Sequence, residues 1–216
     1  MPRFFTKLIL AQILFTASIL NGGTDWGSSH YLHYQHTISD NWFLLHRSTL
    51  STRNDFDHTF FGFGDLSLGY KVNKALSFRA GYRLAAIRTG ESWKDEQRPF
   101  VELRHFKIWK GFMISHKPRF EFRRFDYRDN DIRFRYEFRV EAPWKFTSLE
   151  IRPYLEEEVF FSFDRESIEA NWLTLGLTFK PTENSKIKLG HRWLVQKIGN
   201  TRIHRHVISS GLMFFF

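Results

Sequence analysis

The chain has 216 residues, enough for one domain of ordinary size, and its 25% charged and 42% hydrophobic residues exclude both a disordered chain and a helical membrane bundle. The absence of Cys excludes disulfides and zinc–thiolate sites. The net charge of +9 suggests an anionic partner, but the sequence contains no nucleic-acid-binding motif, so nucleic acid is not expected as that partner.

The N-terminus has the layout of a secretory signal peptide. Arg3 and Lys7 form a short basic leader, and the 13-residue apolar run 8–20 follows it, before Asn21 and a group of small residues. Such a run is too short to span a membrane comfortably. The sequence therefore predicts a signal peptide at 1–23, cut between 18 and 24, and one mature domain at 24–216. An uncleaved anchor is the alternative.

The rest of the chain alternates apolar with polar residues, and a period of two is typical of β-strands. None of it reaches the roughly 18 apolar residues of a membrane-spanning helix. The alternation slips near His105, which predicts a bulge. The predicted strands are 28–38, 42–51, 59–71, 75–87, 98–109, 112–125, 132–142, 148–160, 168–180, 186–197 and 202–216.

The clearest of these segments is 132–142, where every even position is apolar or aromatic and every odd position is charged. In a soluble sandwich the charged face would meet water, whereas in an outer-membrane barrel it would line the interior and the apolar face would meet lipid. Aromatic residues make up 18% of the chain, and 25 of them are Phe. A sandwich would have to bury this many rings between only two sheets, so the pattern favours the barrel.

The lengths of the connections between the predicted strands also favour an outer-membrane barrel. Those at 39–41, 72–74, 110–111, 143–147 and 181–185 are short, and those at 88–97, 126–131 and 161–167 are longer. Short turns at the periplasmic end and longer loops at the other are typical of bacterial outer-membrane barrels, which also have an even number of strands. The count therefore becomes ten if 28–38 lies outside the barrel, or twelve if an irregular strand lies near residue 24. The predicted fold is all-β, a transmembrane antiparallel up-and-down β-barrel of 10–12 strands.

The last strand ends in Phe, with Leu212, Phe214 and Phe216 on one face. This arrangement resembles the signal that is read by the outer-membrane barrel assembly machinery. The expected partners are therefore that machinery during biogenesis, and then outer-membrane lipid and lipopolysaccharide.

The charged faces would line the lumen, because an Arg or Lys facing lipid at mid-membrane costs about 2–4 kcal/mol. One hypothesis is an ion-paired plug that makes the barrel structural. The other is a narrow passage for small anionic solutes, favoured by the surplus of Arg over Glu. The predicted lumen-lining residues are Arg79, Arg83, Glu102, Arg104, Lys117, Arg119, Glu121, Arg123, Arg133, Arg135, Glu137, Arg139, Glu141, Glu150, Arg152, Glu156 and Glu158.

An enzymatic alternative rests on His46 and Ser48, which share one strand face. A hydroxyl beside an imidazole is what a Ser nucleophile and its base require. The pair resembles the H-x-S of outer-membrane phospholipase A and the lipid A deacylases. The wider motif of those enzymes is missing, and no orienting acid or Asn can be assigned. The lead hypothesis therefore has no catalytic residue.

Several other His residues lie near the two ends of the chain. They could adjoin one another if the first and last strands pair, but a metal site needs a converging geometry that the sequence cannot show. They are expected to be interfacial or solvated, and neither a metal nor a cofactor is predicted. These residues are His30, His33, His36, His204 and His206.

Four segments together resemble the bacterial domain-of-unknown-function family DUF2490. The resemblance spans roughly 26–216 and implies an outer-membrane β-barrel without an assigned activity. It supplies no catalytic residues. The segments are N-W-F-L-L-H-R at 41–47, G-D-L-S-L-G-Y-K-V-N-K-A-L-S-F-R-A-G-Y-R at 64–83, R-F-R-Y-E-F-R-V-E at 133–141 and I-R-P-Y-L-E-E-E-V-F-F at 151–161.

Overall fold

The computed structural model describes residues 25–198 and 201–216. The predicted signal peptide at 1–23 lies outside the described residues. In the part of the chain that is described, no helix is long and apolar enough to cross a membrane. The strands are β1 (Asp25–Thr37), β2 (Trp42–Arg53), β3 (His58–Lys71), β4 (Leu76–Thr89), β5 (Ser92–Trp109), β6 (Phe112–Phe125), β7 (Asp131–Glu141), β8 (Arg152–Ser162), β9 (Ser167–Thr182), β10 (Ser185–Ile198) and β11 (Thr201–Phe215).

These eleven strands form one closed barrel, which confirms the all-β barrel prediction. Each strand pairs antiparallel with its neighbours in the chain, whereas β1 and β11 close the barrel in parallel, with Trp26 opposite His206 and Tyr34 opposite Phe214. Both predicted even counts are therefore wrong for the described residues. Residues 28–37 of the segment 28–38 lie in β1, and an odd number of strands can close only if one pair is parallel.

The lengths of the connections at the two rims of the barrel differ from those predicted. We call the end that holds Phe216 and the connections 38–41, 72–75, 110–111, 142–151 and 183–184 the Phe216 rim. The end that holds Asp25 and the connections 54–57, 90–91, 126–130 and 163–166 is the Asp25 rim. The expected contrast between short and long loops is wrong, because the longest of these connections, 142–151, lies at the end predicted to be short. Asp25 and Phe216 also lie at opposite rims.

The predicted loop at 88–97 is a tight turn between two long strands. Thr89 pairs with Ser92, and Gly90 takes a φ of 63° that suits a two-residue hairpin turn. The polar sequence misled the prediction because Glu96 and Arg98, which look like loop residues, are buried on the inner face of β5. In this chain, polar residues occur on strands that face the barrel interior as well as in loops.

The bulge predicted near His105 is also wrong. Pairing between β4 and β5 and between β5 and β6 runs in register through this position, and His105 stacks on His116 of β6 with 6.0 Å between ring centroids. Irregularities occur instead between Ser51 and Thr52, between Phe160 and Phe161 on the β9 side, and next to Ser185.

Inward-facing glycines make room for aromatic rings inside the barrel. A Cβ on Gly69 would overlap the ring of Phe43, and one on Gly211 would overlap the ring of Tyr31. A Cβ on Gly176 would meet both the Tyr154 ring and a backbone oxygen of the adjacent strand. The missing side chains of these glycines thus make room for aromatic rings on neighbouring strands.

Candidate functional site: the ion-paired barrel interior

The two faces of each strand have opposite exposure. On β6, Arg119 and Glu121 are 3% and 0% exposed, whereas Phe120 and Phe122 between them are 42% and 45% exposed. Successive side chains of a strand point to opposite faces, so in a closed barrel the buried set points inward. The charged side chains therefore lie in the interior, and the apolar ones form the outer surface.

Glu121 is the centre of one ion-pair network. Its carboxylate lies 2.5 Å from a guanidinium nitrogen of Arg133 on β7 and 3.6 Å from one of Arg98 on β5. Arg119, two residues away on β6, approaches it to 3.5 Å. A fully buried carboxylate requires such compensation, because an isolated buried charge is strongly unfavourable. Glu121 therefore links three strands through charge.

Two further carboxylates extend the network around the barrel. Asp65 on β3 accepts from Arg47 on β2 at 3.2 Å and from Arg83 on β4 at 2.6 Å. Glu102 on β5 pairs with Arg79 on β4 at 2.9 Å and also with Arg119 on β6. Since Arg119 contacts Glu121 as well, Glu102 joins the network centred on Glu121 to β4.

Some ion pairs join strands that are not neighbours. Arg123 on β6 reaches Glu169 on β9 at 3.3 Å, and Lys186 on β10 reaches Glu141 on β7 at 2.8 Å. These side chains extend past the strands between them and so occupy the interior itself. Charged side chains therefore reach across the interior as well as line it.

Aromatic rings fill much of the remaining space. Phe100 and Phe160 are 2% and 3% exposed, and guanidinium groups lie over both rings, with Arg119 at 4.4 Å from the Phe100 centroid and Arg133 at 5.0 Å from that of Phe160. Cation–π contacts of this kind stabilise a desolvated guanidinium. The interior is thus a polar core of alternating Arg, Glu and Phe.

Two cavities open at the rims. One of about 560 Å³ lies at the Asp25 rim and is lined by Ser167, Ile168, Lys197 and Arg202. The other, of about 290 Å³, lies at the Phe216 rim, where Glu141, Arg152 and Lys186 contribute to its lining.

Most of the predicted lumen-lining residues are buried or half-buried on inward faces, but two differ. Arg104 faces inward at the Phe216 rim and is exposed. Glu150 lies outside the strands, in the connection 142–151, where it pairs with Lys145 at 2.8 Å and with Arg152 at 3.0 Å. The prediction placed Glu150 on a strand because β8 was expected to begin at 148, whereas it begins at Arg152.

The structure places several further charged residues in the interior that the prediction omitted. Glu96 was assigned to the loop 88–97 and Arg98 to the first position of the next strand, although the alternation of Glu96, Arg98 and Phe100 continues the pattern of that strand. Asp65 alternates with apolar residues on β3, but its role as a partner for two arginines depends on the register of β2, β3 and β4. Other omitted interior residues are Arg47, Asp131, Glu169, Lys186, Lys188, Arg192 and Arg205.

One acidic trio, Glu137, Glu156 and Glu158, has oxygen atoms within 4.8 Å of one another. Each carboxylate already has a cation of its own. Glu156 pairs with Lys188 at 2.8 Å, Glu158 with Arg135 at 2.5 Å and Glu137 with Lys117. We therefore interpret the trio as part of the ion-pair network and assign no metal to it.

His46 and Ser48 point outward on β2, away from the ion-pair network. Neither side chain forms a hydrogen bond or ion pair with another described residue. Their partners on β1 and β3 are apolar, aromatic or Gly, so no carboxylate or amide adjoins them to orient an imidazole. These partners are Leu32, Tyr34, Gly64 and Leu66. The structure does not assemble the constellation that a Ser hydrolase needs.

The terminal His residues do not share one environment. His30 bonds to Ser210 on the outer surface at 2.7 Å, whereas His33 is half-buried on the inward face of β1. His206 is buried between Trp26 and His191, and its Nδ1 lies 2.9 Å from Nε2 of His191. The expectation is therefore wrong for His33, which faces the interior, and His206 is buried and not solvated.

These features define a closed β-barrel with an apolar outer surface and an ion-paired interior. A profile for the family described as "Protein of unknown function (DUF2490)" matches residues 28–203, and the chain belongs to that family. No curated protein and no solved structure matched the chain.

Proposed function

We propose that the chain is an outer-membrane β-barrel whose lumen is closed by its ion-pair network, so that it acts as a structural barrel rather than as a porin. The observation that carries this proposal is the combination of exposed large apolar side chains on ten of the eleven strands with an ion-paired interior. Eleven strands lie between the eight that side chains can fill and the 16–18 that leave an aqueous channel in porins.

The outer surface supports a membrane location. Ten of the eleven strands expose a large apolar side chain, and β8 is the exception. Outward Lys and Arg lie within two residues of a strand end, at Arg88, Lys107, Arg124, Lys197 and Arg202, where a charge can reach the headgroups. One exposed residue from each of the ten strands is Leu32, Leu44, Leu66, Leu84, Val101, Phe120, Ile132, Leu175, Leu189 and Ile208.

Aromatic side chains lie at both ends of this apolar surface. At the Phe216 rim, Tyr34 stacks on Phe216 at 5.3 Å and Trp42 meets Tyr70 edge-on at 4.9 Å. At the Asp25 rim, Trp93 is 48% exposed. Girdles of aromatic residues at the two interfaces are typical of transmembrane barrels. The N-terminal run 8–20 supplies the export signal that this location requires.

A single-cysteine experiment tests the location, because the chain has no native Cys. We expect an environment-sensitive fluorophore on Leu84→Cys, at the most exposed of these strand positions, to emit as in hydrocarbon and to be quenched by brominated lipid. The same label on Lys74→Cys, in the connection 72–75 at the Phe216 rim, should be quenched by aqueous iodide instead. Equal iodide quenching at both positions would contradict a membrane location.

Planar-bilayer recording tests the closed lumen. Because buried ion pairs and aromatic rings occupy the interior, we expect the wild-type barrel to give no sustained conductance steps, under conditions where a 16-stranded porin conducts. Stable, anion-selective steps would show that the interior admits solute, and the passage for small anions would replace the closed barrel.

A further inference from the structure

Glu157 is a carboxylate on the outer surface of the barrel. It lies at the centre of β8, five residues from Arg152 and five from Ser162, and it is the one exposed residue of that strand. Glu156 and Glu158 on either side of it are buried in the interior. If the barrel spans a membrane, Glu157 faces the hydrocarbon at mid-depth, where an ionisable group is costly and indicates a functional contact.

No Lys, Arg or His among residues 25–198 and 201–216 forms an ion pair with this carboxylate. Its partner among the described residues is the Asn171 amide on β9, which donates a hydrogen bond at 3.0 Å. The residues directly opposite it are Phe138 on β7 and Leu173 on β9. An amide donor lowers the free-energy cost of placing the Glu157 carboxylate in hydrocarbon, but it does not neutralise the charge. A cation or a strong donor from outside the barrel would complete its pairing.

A second polar group lies two strands away on the same face. His116 on β6 is directly opposite Phe138, and the two rings are 5.2 Å apart. Its Nδ1 bonds to the Tyr136 hydroxyl at 2.6 Å, which leaves Nε2 as the ring nitrogen for a further partner. His116 and Glu157 thus flank Phe138 on the β6 and β8 sides.

The arrangement of His116 and Glu157 on either side of Phe138 is self-complementary under two-fold symmetry. Two copies in one membrane share their orientation, so a two-fold axis between them runs along the membrane normal. If the axis passes in front of Phe138, then β6 of each copy faces β8 of the other, because the strand order is β6–β7–β8. Each His116 then lies on the side of the interface that the Glu157 of the other copy occupies, where two charge-assisted hydrogen bonds between them would form in a medium that excludes water.

We propose that the face formed by His116, Tyr136, Phe138, Glu157 and Asn171 is the interface of a homodimer in the membrane. The proposal rests on the membrane location proposed above. It also accounts for β8, the strand that exposes a carboxylate where the others expose a large apolar side chain. An interface that covers Glu157 removes the charge from lipid.

Disulfide crosslinking tests this interface in vesicles of zwitterionic phospholipid. We expect Phe138→Cys, placed at the two-fold axis, to form a disulfide-linked dimer on oxidation. The control is Leu66→Cys, on the outward face of β3, which should stay monomeric at the same protein-to-lipid ratio. Light scattering of the unmodified protein in mild detergent should give the mass of two chains plus detergent.

The pairing is tested by exchanging its partners. Glu157→Gln and His116→Phe should each lower the crosslinking yield of Phe138→Cys at least fivefold, and the exchanged pair His116→Glu with Glu157→His should restore it. Each variant is first checked for the heat-modifiable gel shift of a folded barrel. A monomeric mass with no crosslink at Phe138→Cys would overturn the dimer, and unchanged crosslinking in both single variants would overturn the pairing.

The two proposals can fail separately. If the Leu84→Cys label reports hydrocarbon while Phe138→Cys does not crosslink, the barrel is in the membrane and the dimer alone is wrong. If the Leu84→Cys label reports water, the membrane location fails, and the dimer inference fails with it.

Discussion

Replacing Glu121 by Gln is expected to lower the free energy of unfolding by about 3 kcal/mol. The substitution keeps the shape of the side chain and removes a charge that faces three guanidinium groups in a fully buried position. Breaking a buried pair typically costs about 3–5 kcal/mol. We expect the lower end of this range, because Arg98 and Arg119 keep Glu96 and Glu102 as partners.

The measurement is urea unfolding of the protein refolded into lipid, followed by Trp fluorescence and by the heat-modifiable gel shift. Glu183→Gln is the matched control, because it makes the same change in the exposed turn between β9 and β10 and should alter stability by less than about 0.5 kcal/mol. A Glu121→Gln protein as stable as the control would mean that the ion pairs do not hold the interior together.

Gly176→Ala is expected to cost about 3 kcal/mol and to lower the yield of folded barrel. A Cβ at this position would overlap the backbone oxygen of Leu189 and the ring of Tyr154. A flexible side chain could move aside, but a strand backbone held by a closed ladder cannot. Overpacking a tight interior costs about 1–3 kcal/mol, and the backbone contact places this substitution at the upper end.

Gly64→Ala is the matched control on β3, since a Cβ there has no neighbour within 4 Å. It should be neutral, or stabilising by up to about 1 kcal/mol, because Ala restricts the unfolded chain. Ala at position 176 restricts the unfolded chain in the same way. The difference in the free energy of unfolding between the two variants therefore measures the cost of the steric overlap. Equal refolding yields and equal unfolding midpoints for the two variants would show that the strands can separate to admit a methyl group.

Much of the fold follows from local alternation. Once the odd residues of 132–142 are recognised as charged and the even ones as apolar, the two faces of β7 are assigned, because successive side chains of any strand point to opposite faces. The same rule assigns Arg83, Glu121 and Glu158 to inward faces from residue type and spacing alone. Fold class and strand positions are encoded locally, and so they could be predicted.

The ion-pair partners of these residues and the ends of the strands could not be predicted from alternation alone. Glu121 and Arg98 meet because of the register between β5 and β6, and a register is a property of two strands together. The loop predicted at 88–97 was wrong for a related reason, since a polar segment is a loop in one setting and an interior strand in another. Local composition does not distinguish the two when the interior itself is charged.

The sequence by itself determined an all-β chain with one apolar and one ionised face per strand, because these faces are set by residue type at a period of two. Only the tertiary structure decided that eleven strands close through a parallel pair of β1 and β11, that the charges form networks across the lumen, and that Glu157 remains outside them. Closure depends on the whole sheet, and the position of a charge relative to lipid or lumen depends on which way the sheet curves.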